Sequence, residues 1–354
     1  MKFKNISRII CLTLFIFIFS STFISATETT TEQGAKTRLE LLEEFIQDTY
    51  LNDSFSNEPN QNSSIESTYY GVLLSDYLKI SYDIYDIIFY IQKHQKSDYG
   101  FSNQIKQETT INATFFAVQT LKQLSVGSED LNNWQIFQYL NKSISEILYN
   151  PSNYVNLTTQ DILTINRFFL ASSILNETVL FPYNSLINAL KQIQFTNGTY
   201  PSFYYAVEIS SLLSLFEQPP ADVQGTIRYL KSFRFNDTGF TKDSSDIISI
   251  KDTYYAISTI YTLGEEVENK NKIVDAILDL QTPEGGFMDK KSQNPTLESS
   301  YFAYQILLLL NSIKSLDQLA FLESTGFLNF NFLIIGSVSL LSLIIIRKKR
   351  TKKL

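Results

Sequence analysis

Cys11 and His94 are the only cysteine and the only histidine in 354 residues. A Cys/His zinc site needs three or four such ligands, and a disulfide needs two thiols, so the composition excludes both. No metal or other cofactor is implied. Acid–base chemistry is left to carboxylates. Glu66 and Glu298 each stand three residues ahead of an aromatic pair, Tyr69-Tyr70 and Tyr301-Phe302. Brought together by a closed fold, they would be the candidate catalytic acid and base. Left apart, they are helix-start acids stabilised by the macrodipole. Lys251 and Asn112 hold the same place ahead of Tyr254-Tyr255 and Phe115-Phe116. Lys251 would suit an anionic head group. Tyr69, Phe115, Tyr254 and Tyr301, with Asn112 and Lys251, are the candidate cavity-lining set for an apolar chain, a flat ligand or a cation. The plainer alternative is that the rings pack two helical layers together. His94, in Gln92-Lys93-His94-Gln95, reads as a solvated imidazole at a helix end.

These positions belong to a repeat. Six aromatics follow turn-like residues, at Phe55, Phe101, Tyr154, Tyr200, Phe240 and Phe287, spaced 46, 53, 46, 40 and 47 residues apart. Fourteen residues after five of them comes an aromatic pair, at Tyr69, Phe115, Phe168, Tyr254 and Tyr301; in the fourth unit the pair Tyr204-Tyr205 follows after four. A small residue usually succeeds the pair: Gly71, Ala117, Ala206, Ala256, Ala303. Gln95, Gln194 and Gln281, and Arg234 in the fifth unit, stand six residues ahead of the turn aromatic.

Each position has a physical role. The apolar spacing before the turn, as in Ile273, Val274, Ile277 and Leu280, is helical. Gly or Asn ends that helix by accepting positive φ. The Gln bonds the exposed backbone of the turn. Thr68, Thr114, Thr253 and Ser300 open the second helix as caps. Gly and Pro together number only 20, which favours helices over turn-rich β structure. The fold class read from this is all-α: six helical hairpins over residues 39–312. The first and last units look like the middle ones, which favours closure into an α6/α6 barrel over an open stack with atypical caps.

The repeat resembles the α/α toroid of protein prenyltransferase β subunits and the squalene and terpene cyclases. The resemblance is clearest in Leu280-Gln281-Thr282-Pro283-Glu284-Gly285-Gly286-Phe287 and in Asp252-Thr253-Tyr254-Tyr255-Ala256. It implies an axial cavity with chemistry on the inner helices. The prenyltransferase zinc ligands would fall at Lys251, Thr253 and Glu298, so the metal site is not retained. The cyclase Asp-x-Asp-Asp and Asp-Asp-x-x-Asp motifs are missing, Asp243-Ser244-Ser245-Asp246 being the nearest run, and so is the thioester Gly-Cys-Gly-Glu-Gln.

The ends of the chain indicate a compartment. Lys2, Lys4 and Arg8 precede an apolar run from Ile9 to Phe19, the form of a secretory signal peptide over 1–26. A short polar leader spans 27–38. After a juxtamembrane connector, 313–326, the uncharged residues 327–346 are long enough to cross a bilayer. The basic tail 347–354 marks the cytoplasmic side. Those two ends hold nine of the 29 Lys and Arg, and all 36 Asp and Glu lie between them, so the intervening segment carries a net −16. Such a surface repels nucleic acid. Eight Asn-x-Ser/Thr sequons, at Asn52, Asn62, Asn112, Asn141, Asn156, Asn176, Asn197 and Asn236, agree with export and are candidate glycosylation sites.

The resulting expectation is a single-pass cell-membrane protein whose toroid lies outside the cell and binds a lipid-like or protein ligand without catalysis. The alternatives are a diverged prenyltransferase- or cyclase-like enzyme acting on a lipid-like substrate, and a structural surface-coat protein.

Overall fold

A computed structural model describes residues 36–243 and 247–316. Thirteen α-helices run through them: α1 (Arg38–Thr49), α2 (Ile65–Leu78), α3 (Ile84–Lys93), α4 (Ile111–Gln123), α5 (Ser128–Asn133), α6 (Ile136–Leu148), α7 (Thr159–Ile174), α8 (Tyr183–Gln192), α9 (Phe203–Leu215), α10 (Val223–Lys231), α11 (Ile250–Thr262), α12 (Lys270–Leu278) and α13 (Leu297–Leu309). Two hairpins of two-residue strands sit in the turns. β1 (Arg234–Phe235) pairs antiparallel with β2 (Gly239–Phe240), and β3 (Phe287–Met288) with β4 (Pro295–Thr296).

The helices form two layers. α1, α3, α6, α8, α10 and α12 bury one stripe and leave the other face wet; α3 buries Ile87, Tyr90 and Ile91 and exposes Tyr85 and Phe89. α2, α4, α7, α9, α11 and α13 form the inner layer, each packed on the next, and α13 packs on α2 to close the ring.

Polar side chains at the turn end join neighbouring units. The Nε2 of Gln95 donates to Tyr99 O in its own turn and to Trp134 O ahead of α6 (2.7 Å). Gln194 does the same with Gly198 O and Asp222 O at the start of α10. Arg234 reaches Glu268 O ahead of α12. Gln281 donates to Gly285 O and to Arg38 O (2.7 Å), which joins the sixth unit to the first. A second set of bonds caps the inner helices. The residue two places after a turn aromatic bonds the first N–H groups of the preceding unit's inner helix: Asn103 caps Ile65 and Glu66, Asp289 caps Ile250 and Lys251, and Asn57 caps Leu297 and Glu298.

Two local expectations are corrected. The N-caps of α2, α4, α11 and α13 are Ser64, Thr110, Ser249 and Thr296. Thr68, Thr114, Thr253 and Ser300 lie four residues further on, inside the helix, fully buried. Their hydroxyls accept the N–H of the turn aromatic thirteen residues earlier, Phe55, Phe101, Phe240 and Phe287, at 3.2, 3.0, 2.9 and 3.0 Å. Positive φ likewise falls on Tyr99 and Gly285, one place before the expected glycine. Gly100 and Gly286 serve close approach instead: a Cβ would stand 2.6 Å from the Tyr139 ring and 2.7 Å from that of Phe45.

The toroid begins at Thr37, the N-cap of α1, just before the expected boundary. The signal, most of the leader, and residues 317–354 with the expected membrane span lie outside the described residues. Within the described residues no helix is long and apolar enough to cross a membrane.

Candidate functional site

The inner helices do not start at the same distance from their turns, and that inequality creates the site. α2, α4, α11 and α13 each begin ten residues after the turn aromatic, so the fifth and sixth residues of each are the pair Tyr69-Tyr70, Phe115-Phe116, Tyr254-Tyr255 or Tyr301-Phe302. These rings form a continuous layer across the inside of the ring. Tyr69 lies 5.2 Å from Phe116, Tyr70 5.2 Å from Tyr301, and Tyr254 4.9 Å from Phe302, centroid to centroid.

α7 begins five residues after Tyr154, and α9 three after Tyr200. The pair Phe168-Phe169 therefore falls about 1.4 turns deeper. Phe168 packs outward on Phe137, and Phe169 on Phe181 and Phe216. Tyr204 and Tyr205 come too early to join the layer and spend their hydroxyls on Asp252 and on Leu157 O. The equal spacing of aromatics in the third unit is thus no sign of an inward face. Where the other units place rings, these two place Leu163, Asn166 and Arg167 on α7, and Val207 and Glu208 on α9.

The space left is a cavity of about 380 Å³, within the ~300–1,000 Å³ usual for small-molecule sites. Eight rings wall one side: Tyr69, Tyr70, Phe115, Phe116, Tyr254, Tyr255, Tyr301 and Phe302. The other side sets polar groups among Leu163, Leu170, Val207 and Leu215. Asn166 donates to Glu208 (3.1 Å) and to Ser211 Oγ (3.0 Å). The Arg167 guanidinium lies 5.1 Å from the Phe116 centroid and 5.6 Å from that of Phe115. Burial raises the Glu208 carboxyl above its ordinary range, with Asn166 and Arg167 partly offsetting it. Burial also keeps the phenols of Tyr69, Tyr70, Tyr255 and Tyr301 neutral at any ordinary pH.

Of the residues anticipated from sequence, Tyr69, Phe115, Tyr254 and Tyr301 line this cavity, whereas Glu66, Asn112, Lys251 and Glu298 do not. Those four sit in the first turns of their helices, nearer the turn end. Lys251 and Glu298 form an ion pair. Burial raises the Glu66 carboxyl, as does Glu298, while Lys251 and Arg167 act the other way. Val72, Val118 and Ile257, set three residues after the pair's first ring, are buried in the core, and Tyr304 stacks on Tyr77. Arg167, Asn166 and Glu208 were missed from sequence; the short loops after Tyr154 and Tyr200 were the available signal.

The zinc positions implied by the resemblance do not fit the metal. Lys251 is paired with Glu298, and the Thr253 hydroxyl is held by Phe240 N–H. Among the described residues, no three His, Cys, Asp or Glu are grouped to hold a metal ion. His94 is buried, contrary to the solvated position expected of it. Its ring packs against Tyr90, and Nδ1 lies 2.9 Å from Tyr90 O. Six of the eight sequon asparagines are exposed; Asn112 and Asn141 are half-buried.

Residues 18–145 and 177–325 match the family model described as the prenyltransferase alpha-alpha toroid domain. Among solved structures, protein geranylgeranyltransferase-I of Candida albicans complexed with GGPP superposes with a TM-score of 0.59 at 15% identity, over 78% of this chain and 92% of that one. The apo type II terpene cyclase MstE from Scytonema gives 0.51 at 9% identity, over 79% and 97%. No curated protein matches the chain in sequence. Identities this low establish the shared fold alone.

Proposed function

We propose that this chain, which belongs to the prenyltransferase alpha-alpha toroid family, is a membrane-anchored recognition domain that holds a lipid-like ligand in its ring without transforming it. The observation that carries the reading is the cavity itself: eight aromatic side chains face a 380 Å³ space, while the family's metal positions hold an ion-paired Lys251 and Glu298 and a structurally committed Thr253. Apolar burial against such a wall stabilises a hydrocarbon by roughly 25 cal/mol per Å² removed from water. Glu66 and Glu298 stand outside the cavity lining, which argues against their use as an acid–base pair on a ligand held there. The anchor is the uncharged segment 327–346 with its basic tail, and the same charge asymmetry puts the ring outside the cell. The exposed sequons accord with that side.

The test is native mass spectrometry of the full chain released from detergent, followed by solvent extraction. One lipid of constant mass at equimolar ratio supports the reading. A cavity that neither retains an extractable lipid nor takes up an added isoprenoid refutes it. Conversion of an added prenyl diphosphate by the purified chain refutes the non-catalytic part.

A further inference from the structure

The cavity runs toward the end of the ring opposite the turns. No residue from the first turns of α2, α4, α11 and α13 lines it, whereas Ser214 and Leu215 on α9 and Thr262 on α11 carry the lining to the last turns of those helices. Ser214 and Thr262 are exposed there. A second cavity, of about 260 Å³, shares Ser210, Ser214 and Thr262 with the first and continues along the connection from α9 to α10, at Glu217, Gln218 and Pro220. The seam between the two helices is also the loosest junction between neighbouring inner helices. Sequence accounts for that. Each helix presents two short hydroxyl side chains one turn apart on one face, Ser210 and Ser214 on α9, Ser258 and Thr262 on α11. The Ser258 and Thr262 hydroxyls bond carbonyls of their own helix, Tyr255 O and Ser258 O. The connection after α11 adds no bulk, since a Cβ on Gly264 would meet nothing within 4 Å.

The chain leaves the ring at this same end. Every inner helix runs away from the turns, so α13 ends here, and the 3-10 turn Ile313–Leu316 packs against it. Ten residues, 317–326, lead from there to the uncharged segment 327–346, a reach of at most about 36 Å. We infer that the slot between α9 and α11 is the portal of the cavity, that it faces the bilayer, and that it admits the hydrocarbon chain of a bilayer lipid, tail first. The inference rests on the readings of the cavity as a lipid site and of 327–346 as the anchor. The direction follows from where polarity lies. The aromatic wall is at the inner end, and Glu217 and Gln218 are at the lip, so a chain is buried inside while its head stays at the mouth. A lipid arriving through solvent must first expose that chain to water, and one passing from the leaflet into the slot does not.

The experiment uses the full chain, stripped of lipid in detergent and returned to nanodiscs of phosphatidylcholine with a diazirine in its acyl chain. Samples are illuminated after set intervals, and adducts are mapped by tandem mass spectrometry. Adducts are expected first at Ser214 and Thr262 and later at Tyr254 and Tyr255. Ser214→Phe with Thr262→Phe should slow labelling of the tyrosines by about tenfold. A chase with unlabelled phosphatidylcholine before illumination should show exit slowed by the same factor, because a portal raises one barrier for both directions. Ser214→Phe alone, at an exposed position, should act in the same sense if the double variant does not fold. Asn112→Phe, at the turn end, should leave both rates within about twofold. Faster exit from the double variant marks an ordinary lining residue and overturns the portal. Tyrosine adducts with none at the slot, slowing by Asn112→Phe, or surface adducts at the turn-end side chains Ile105 and Phe195 in place of the slot also overturn it, and leave the cavity reading intact. Absence of tyrosine adducts while an added isoprenoid still binds overturns loading from the bilayer alone. Absence of both overturns the cavity reading as well.

Discussion

The bond from the Phe240 N–H to the Thr253 hydroxyl offers a sharp test of what holds the turns in place. Phe240 and Arg234 face each other across β1 and β2, and Thr241 N–H donates to Phe233 O. In an antiparallel ladder this makes Phe240 and Arg234 a non-hydrogen-bonded pair, so the Phe240 N–H points away from β1. It meets Thr253 Oγ1 at 2.9 Å, with Phe240 and Thr253 both fully buried. Thr253→Val keeps the shape and the branched Cβ and removes the acceptor. No water reaches the orphaned N–H, so the cost is the desolvation of a buried donor, about 1–3 kcal/mol. The Phe240 carbonyl loses nothing essential, since Ser249 N–H still donates to it at 3.1 Å.

Thr120→Val is the control. Thr120 is equally buried, but its hydroxyl only back-bonds to Phe116 O within α4. That carbonyl keeps its helical partner, so the cost should stay below about 0.5 kcal/mol. Urea unfolding followed by far-UV circular dichroism measures both. Equal midpoints for the two variants, or a Thr253→Val loss under about 0.5 kcal/mol, would refute the idea that an inner-helix hydroxyl fixes each turn. Thr114→Val in the second unit should repeat the result, because Phe101 N–H has the same geometry at 3.0 Å.

Three further outcomes are expected. Gly286→Ala would force a Cβ to within 2.7 Å of the Phe45 ring, and should lower stability by about 1–3 kcal/mol through overpacking at the seam between the last unit and the first; a thermal melt reads this. Burial holds the His94 imidazole neutral by lowering its value from 6.5. The unfolded chain therefore binds more protons below that pH, and stability should fall as the medium is acidified from 6.5 through the lowered folded value, a slope that His94→Gln removes. The Glu208 carboxyl is shifted the other way, raised from 4.5 by burial. The folded state binds the extra proton, so stability should decline as pH climbs from 4.5 through the raised value, and Glu208→Gln should flatten that decline in urea titrations repeated across pH.

The periodicity of the chain made the ring legible because the elements that build it recur. Gln95, Gln194 and Gln281 are spaced from their turns as a repeat demands, and each fastens its turn as expected while also reaching the next unit. Tyr69, Phe115, Tyr254 and Tyr301 were legible as lining for the same reason, whereas the second ring of each pair, which also lines the cavity, was not singled out. Thr68 and its equivalents were visible as a pattern but assigned to the wrong donor: a hydroxyl at a helix start and a hydroxyl one turn later look alike in sequence, and only the ten-residue loop tells them apart. The polar wall escaped notice because it breaks the repeat. Asn166, Arg167 and Glu208 recur nowhere, and in the third unit the pair at the constant offset packs Phe168 on Phe137. His94 was misjudged because its polar neighbours in sequence do not reveal that its ring turns inward against Tyr90.

That break in the repeat also explains how one ring accommodates different contents. The bonds that close it, from Gln281 to Arg38 and from Leu297 to Asn57, lie at the turn end. In four inner helices the aromatic part of the lining comes from the fifth and sixth places, and loop length sets which residues reach them. Starting α7 five residues earlier after its turn than α2, α4, α11 and α13 displaces the aromatic pair by about 7.5 Å along the axis and by more than a quarter of a turn around it. The inward position passes from the aromatic pair to Leu163, Asn166 and Arg167. A deletion in a surface turn, which loops tolerate well, thus empties one sector of the aromatic layer and introduces a cation into it. The scaffold and the pocket are governed by separate parts of the same forty-odd residues, so the ring persists where the zinc positions hold Lys251, Thr253 and Glu298.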